Sequence, residues 1–240
     1  PIFIIITGAL LSNILFNSYR WHMYLDANQS GDATYAAAAQ VSQSITVAQA
    51  SQSALSISAT TSSAAYTGSA YTATPTFSSS GGSGSGAVTY SIVSGGSASS
   101  CALSTSAANA TLTASSTGTC LIAATKAAST NYLAATSANL TFTFTASAQT
   151  ISFTQPADKT YGDADFTLTA SATSTLSITF ASSTTSVCTV SGNTVSIVTA
   201  GTCTLTADQS GNSSFAAAPT VTKSLTVSKK AQVTLNIAAV

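Results

Sequence analysis

Glutamate is absent from this chain of 240 residues, and charge of either sign is scarce. Six lysines and arginines face six aspartates, with a single histidine, so the net charge is +0. Charged residues make up 5% of the chain, where about a quarter is usual. Nucleic-acid and anionic-membrane binding both need clustered Lys and Arg, so neither is expected. Paired-carboxylate catalysis would rest on aspartate alone. The one histidine, His22, lies near the start, so no Ser-His-Asp or Cys-His pair can be assembled further along. The glycine-rich stretch SGGSGSG (80–86) lacks the Gly-Lys-Ser/Thr of a phosphate loop and reads as a hairpin tip. Neither a catalytic residue nor a cofactor is implied.

What remains is apolar and hydroxylated. Hydrophobic residues are 45% of the chain, enough for a core. The polar surface falls to Ser, Thr, Asn and Gln. Thr favours strands, and Ala-Ser-Thr mixtures without Glu form poor helices. Alternation agrees. In TVTKSLTV (220–227), Val221, Leu225 and Val227 share one face; in ANLTFTFT (138–145), Leu140, Phe142 and Phe144 do; in VSQSITV (41–47), Val41, Ile45 and Val47 do. Period-two patterns with Thr outward mark antiparallel strands with one wet face. An all-β protein is expected. Lys223 and Gln43 interrupt the inner face at matching places, as side chains near a strand end can when they reach water.

The chain also repeats itself. AGTCTLTADQSGNSSFAAA (200–218) returns GTCLIAATKAASTNYLAA (118–135), and its second half appears once more as ANQSGDATYAAA (27–38). Gly118 and Gly201, Cys120 and Cys203, Tyr132 and Phe215, and Gln149 and Gln232 are each 83 positions apart, and Gln52 precedes Gln149 by 97. Units of this size exceed solenoid repeats and suit tandem β-sandwich domains. The expected division is a partial or degenerate first domain over 1–50, full repeats over 51–147 and 148–231, and the opening strand of a following repeat over 232–240.

Each full repeat carries two cysteines, Cys101 with Cys120 and Cys188 with Cys203. Around the second pair, VCTVSGNTVSIVTAGTCTLTA reads as three strands with turns at Gly192-Asn193 and Ala200-Gly201. In a flat meander the outer strands would lie about 9–10 Å apart, whereas a disulfide needs Cα atoms within about 7 Å. A bridge therefore requires the chain to cross between sheets or the strand ends to converge; buried free thiols are the alternative. A zinc site is the weaker alternative, because no CxxC or nearby histidine supplies ligands. Paired bridges in every repeat would place the protein in an oxidising compartment.

Over 148–231, the Tyr161-Gly162-Asp163 step, the Gly201-Thr202-Cys203 turn, the Gln209-Ser210-Gly211-Asn212 loop and the closing Phe215-Ala216-Ala217 together resemble the bacterial Ig-like surface repeats of the MBG type. The likeness is looser over 51–147, where Tyr66-Thr67-Gly68 stands near the Tyr-Gly-Asp position and Lys126 replaces Gln209. The resemblance implies tandem Ig-like antiparallel β-sandwiches in secreted or surface-attached bacterial proteins, which serve as stalks, adhesins or matrix. It implies no catalytic residue. The expected function is a non-enzymatic extracellular stalk, fibre or filament on a bacterial surface, whose partners are further repeats or other copies set head to tail. An adhesin binding a glycan or host receptor is the alternative, with Tyr90 and the 78–87 insertion as its candidate surface.

Three further features complete the expectations. Residues 1–26 hold the only Trp, His, Met and Arg, and a largely apolar run from Ile2 to Phe16. The segment lacks the basic region and cleavage site of a signal peptide, and as a membrane span it is marginal, since about 20 apolar residues are needed and Asn13 and Asn17 interrupt the run. It remains open as a degenerate domain part or the one stretch through which a membrane could be met. Asp158, Asp163 and Asp165 cluster near Tyr161; calcium takes such oxygens, but a solvated strand start is the plainer expectation, and the 51–147 repeat lacks these acids. Asn28, Asn109, Asn139 and Asn212 sit in Asn-x-Ser/Thr triplets, which arise by chance in so Ser/Thr-rich a chain. Finally, Gln232, Val233, Leu235 and Ile237 form a candidate donor strand that would complete the first domain of another copy by β-strand addition.

Overall fold

A computed structural model describes residues 10–11, 22–68 and 70–232. No helix occurs among the described residues; every regular element is a strand. The fold is all-β and built of tandem Ig-like sandwiches. The chain divides into two compact units: one holds residues through Ser56 together with 80–88 and 125–137, the other 57–79, 89–124 and everything from Ala138 onward.

The second unit contains a complete sandwich. One sheet runs in the order Lys159–Thr160, Val221–Ser228, Gly201–Asp208, Thr179–Ser182, and the other Phe166–Thr167, Thr194–Ile197, Cys188–Ser191. A short hairpin of Ile151–Phe153 with Ala170–Ala172 adds to them. Between the sheets Phe153, Leu168, Val195, Leu205, Leu225 and Val227 are buried in one cluster. The threonine alternation explains it: along Val221–Ser228, Leu225 and Val227 are buried while Thr222, Ser224 and Thr226 are exposed. Lys223, on the inner face, is only partly buried and lies opposite Leu205.

Residues 57–79, 89–124 and 138–145 repeat this arrangement. Gly118 to Ile122 pair antiparallel with Phe144 to Leu140, and Leu112–Ala114 lies between Tyr71–Ala73 and Ala102–Leu103. Phe142, Phe144, Leu112 and Ile122 are fully buried here. Two short edge pairings are parallel. Ser63–Ala65 runs parallel to Thr143–Thr145, and Lys159–Thr160 parallel to Val227–Ser228. These two edges are three and two residues long, too short for alternation to announce them.

In the first unit, His22–Asn28 pairs antiparallel with Val41–Thr46, and Leu10–Leu11 pairs with Ala27 and Asn28. Its register is that of the later copies: Met23 faces Ile45 as Cys120 faces Phe142 and Cys203 faces Leu225. The third copy of the motif is thus the same closing hairpin. It differs in burial, since Val41 and Ile45 are 67% and 38% exposed.

Candidate functional site

The cysteines lie where the crossing between sheets puts them. Cys188 belongs to the edge of one sheet and Cys203 to the interior of the other, and they are bonded with Cα atoms 5.6 Å apart. Cys101, just before Ala102–Leu103, is bonded to Cys120 with Cα atoms 5.8 Å apart. Both bridges join sheet to sheet. This meets the distance limit that a flat meander would break.

The acidic group near Tyr161 separates into local roles. Asp163 Oδ2 accepts from the Thr160 backbone N–H at 2.8 Å, Asp165 Oδ2 from the Ser196 hydroxyl at 2.8 Å, and Asp158 Oδ1 from the Thr226 N–H at 2.7 Å. Residues 161–165 form a turn and its exit, not a strand, so Asp163 and Asp165 do not share a strand face. Among the described residues no three His, Cys, Asp or Glu side chains gather as metal ligands would. Tyr90 also departs from expectation. It is 6% exposed and stacks on Phe77 at 5.4 Å, so it is core and not a ligand-facing aromatic. Its strand, Val88–Val93, turns that side chain inward by the ordinary period of two. Gln232 is exposed, and Val233, Leu235 and Ile237 lie outside the described residues, as does most of 1–26. No helix among the described residues is long and apolar enough to cross a membrane.

The most organised polar chemistry sits where the segments around Ala50 and Ser147 meet the recurring loops. Each copy of the recurring loop is tied by the same bonds. Asp32 N–H donates to Tyr35 O (2.8 Å), Ser129 N–H to Tyr132 O (2.9 Å), and Asn212 N–H to Phe215 O (2.8 Å). In the outer copies the Asx side chain caps the turn: Asp32 Oδ1 accepts from Thr34 and Tyr35 N–H at 2.8 Å each, and Asn212 Oδ1 from Ser214 and Phe215 N–H at 2.8 and 2.9 Å. Those two backbone N–H groups hold the Asp32 carboxyl below the usual carboxylate range.

The segments at Ala50 and Ser147 each add a parallel bridge to such a loop. Ala50 bridges Tyr132 and Ser147 bridges Phe215. In the first unit, Ala50 N–H donates to Asn131 O and Leu133 N–H to Ala50 O, both at 2.9 Å. Gln52 Nε2 donates to Leu133 O (2.7 Å) and Ala127 O (3.2 Å). In the second unit, Ser147 N–H donates to Ser214 O (2.9 Å) and Ala216 N–H to Ser147 O (2.8 Å). Gln149 Nε2 donates to Gln209 Oε1 (2.5 Å) and Ala216 O (2.7 Å), and the Ser174 hydroxyl donates to Gln149 Oε1. Gln149 is 3% exposed. Rings close the second joint: Tyr66 meets Phe215 edge-on at 5.6 Å, and the Tyr71 hydroxyl donates to Ser213 O at 2.5 Å. The sequence displays this machinery only as recurrence: an aromatic three residues after the loop's Asx or Ser, and a Gln a fixed step after each closing strand. That the two meet was not readable from spacing.

No family model matches the sequence, and no curated relative matches it. Solved structures similar to it include the protocadherin gammaB7 EC3-6 cis-dimer, at 13% identity over 88% of this chain and 58% of that one, with a TM-score of 0.32. The C-terminal 282-residue fragment of intimin, in complex with the intimin-binding domain of its translocated receptor, is similar at 20% identity over 71% and 63%, TM-score 0.27. Surface layer protein SbsC, domains 1-6, is similar at 16% identity over 88% and 32%, TM-score 0.31. The chain spans less than two thirds of the length of each.

Proposed function

We propose that this chain is part of a non-enzymatic, extracellular structural protein in which Ig-like domains follow one another head to tail, as a stalk or fibre on a bacterial surface. Its domains are 51–147 and 148–231, preceded by a partial domain over 1–50 and followed by the opening strand of another. The observation that carries this reading is the repeated joint: Ala50 on Tyr132 and Ser147 on Phe215 are one device used twice. A device that recurs at both joints and consists of backbone bonds fixes the angle between neighbours. Gln232 stands where Gln52 and Gln149 stand in the earlier joints, so 232–237 would lead into a next domain as Gln149 leads into Ile151–Phe153. The inter-sheet disulfides fit an oxidising compartment.

Negative-stain microscopy of the native material tests the proposal. Unbranched stalks or fibres with a repeat of one Ig-like domain are expected; isolated compact particles would overturn it. A glycan array carrying the same chain separates the adhesin alternative, for which specific, saturable binding is the required result.

A further inference from the structure

The stretch SGGSGSG has the composition of a flexible linker, yet it is fitted closely against its neighbours. It carries the chain from Phe77–Gly81, which pairs with Leu55–Ala59, to Val88–Val93, which pairs with Gly118–Lys126. Along this crossing burial alternates: Gly82, Gly84 and Gly86 are partly buried, while Ser83, Ser85 and Ala87 are exposed. The glycines are its inward face. A Cβ on Gly82 would stand 2.7 Å from Lys126 Cδ and 2.9 Å from Gln52 Oε1. On Gly84 it would stand 2.8 Å from Ser129 Oγ, and on Gly86 2.0 Å from Ala127 O. Glycine is required here for close approach of the backbone, and not for freedom of movement.

The surfaces it touches are the two that meet at the bridge of Ala50 with Tyr132. On one side is the segment 49–54, where Gly84 N–H donates to Gln52 Oε1 (3.2 Å) and Ser53 N–H to Ser83 Oγ (3.2 Å). On the other, Lys126 Nζ donates to Gly82 O (3.1 Å) and Ala127 N–H to Ala87 O (2.9 Å). The segment and the 127–133 loop are also bonded directly, Gln49 Nε2 donating to Ser129 O and Gln52 Nε2 to Leu133 O, both at 2.7 Å. All of these residues belong to the first compact unit. The corresponding crossing over 173–178 engages its own glutamines without a glycine. There Gln149 Oε1 accepts from the Ser174 hydroxyl, and Gln209 Nε2 donates to Ser177 O at 3.5 Å.

We infer that 82–87 is a strap that locks the segment 49–54 to the 127–133 loop, and that this lock opens and closes as one unit while the strands beside it stay paired. The strap contributes only glycine, serine and alanine, and its bonds lie at exposed or half-buried positions. Elements of that kind sit at the low end of local stability. The strands it connects are anchored instead by the buried Phe77, Tyr90, Cys120 and Ile122. Because one strap bonds both partners, lifting it frees the segment and the loop together. A lock built this way lets the lead into 51–147 loosen and re-form without unfolding the domain. The inference concerns this unit by itself and stands whether or not domains follow one another head to tail.

Native-state hydrogen exchange on the full chain decides it. In the wild type, the amides of Ala50, Gly84, Ala127 and Leu133, each bonded across the lock, should be protected and exchange at one common rate. That rate should exceed the rate in the paired strands of Gly118 to Ile122 with Leu140 to Phe144. Gly86→Ala forces the strap off the Ala127 carbonyl and should speed all four amides together, on the order of tenfold, while those strands keep their rate. Lys126→Met keeps the stem but removes the bond to Gly82 O, and should speed the same four by roughly threefold. Ser85→Ala, on the outward face, should leave them within about twofold of wild type. Faster exchange that stops at 82–87 and spares Ala50 and Leu133 overturns the inference, as does acceleration that reaches the paired strands equally. A wild type in which Ala50 and Leu133 exchange at the free-peptide rate overturns it too.

Discussion

Replacing Gln149 with leucine asks whether the joint is held by its buried amide or merely passes over it. The two side chains are close in volume, so no cavity confuses the result. In the wild type, Gln149 Oε1 accepts from Ser174, which is 7% exposed, and its Nε2 donates to Gln209, which is 8% exposed, and to Ala216 O. Leucine strips the Ser174 hydroxyl of its acceptor and takes from Gln209 Oε1 one of two donors, the other being Gly211 N–H at 2.5 Å. The Ala216 residue is exposed, so its carbonyl can turn to water. One buried group left short costs about 1–3 kcal/mol, and each exposed bond lost about 0.5–1.5 kcal/mol. Burying leucine in place of an amide returns on the order of 1 kcal/mol. The net expectation is about 2 kcal/mol of destabilisation, or roughly 10 °C in the melting of a domain of this size. Gln52→Leu is the control. Gln52 is only partly buried and its partners Ala127 O and Leu133 O lie near solvent, so its loss should cost about 1 kcal/mol or less. Urea unfolding followed by circular dichroism gives the totals, and hydrogen exchange across 209–218 assigns the change to the right repeat. Equal effects at 149 and 52, or a Gln149→Leu change within about 0.5 kcal/mol of zero, would refute the reasoning.

Four further outcomes follow. Replacing Cys188 and Cys203 together with alanine should cost about 3 kcal/mol by the loop-closure estimate for a separation of 15, read by urea unfolding. Non-reducing peptide mapping should find Cys101 linked to Cys120 and Cys188 to Cys203; free thiols or bridges between repeats would contradict the structure. Gly118→Ala should destabilise more than Gly201→Ala, by thermal melts of each. Both glycines have positive φ, but a Cβ at 118 would meet the Ala98 backbone N at 2.6 Å, while at 201 it meets a Val187 methyl at 3.1 Å. Asp32 should titrate below the usual carboxylate range by NMR. Because its folded pKa is depressed, its contribution to the loop is full above an unfolded value of about 3.9 and fades as pH falls through the folded pKa.

The repeat, its strands and the cysteine pairs were legible because they are encoded locally. Alternation over Val221–Ser228 needs only its own residues, and an 83-residue spacing needs only two copies. Tyr90 was misplaced for the opposite reason. A tyrosine on a strand next to a glycine-rich tip looks presented, and only its stacking on Phe77, from a neighbouring strand, shows it to be core. The acids near Tyr161 read as a strand start, whereas Asp163 and Asp165 lie on the exit of a turn beside a parallel edge of two residues, which carries no period. The ring contact of Tyr66 with Phe215 joins residues about 150 positions apart in sequence, and each ring alone reads as an ordinary core aromatic.

The scarcity of charge acquires a physical meaning at this point. Along the strands, exposed hydroxyls pair across the ladder where other proteins set ion pairs: Ser56 with Ser80, Ser58 with Ser78, Thr125 with Thr136 and Thr204 with Ser224 lie 2.7 to 3.2 Å apart. Such neutral pairs are not screened by salt, so the stability of a repeat depends little on ionic strength. Inside, every buried side-chain nitrogen or oxygen among the described residues has a partner. Several of the few charged side chains sit instead on turns and leading segments, with Asp32 in one and Lys229 and Lys230 in another.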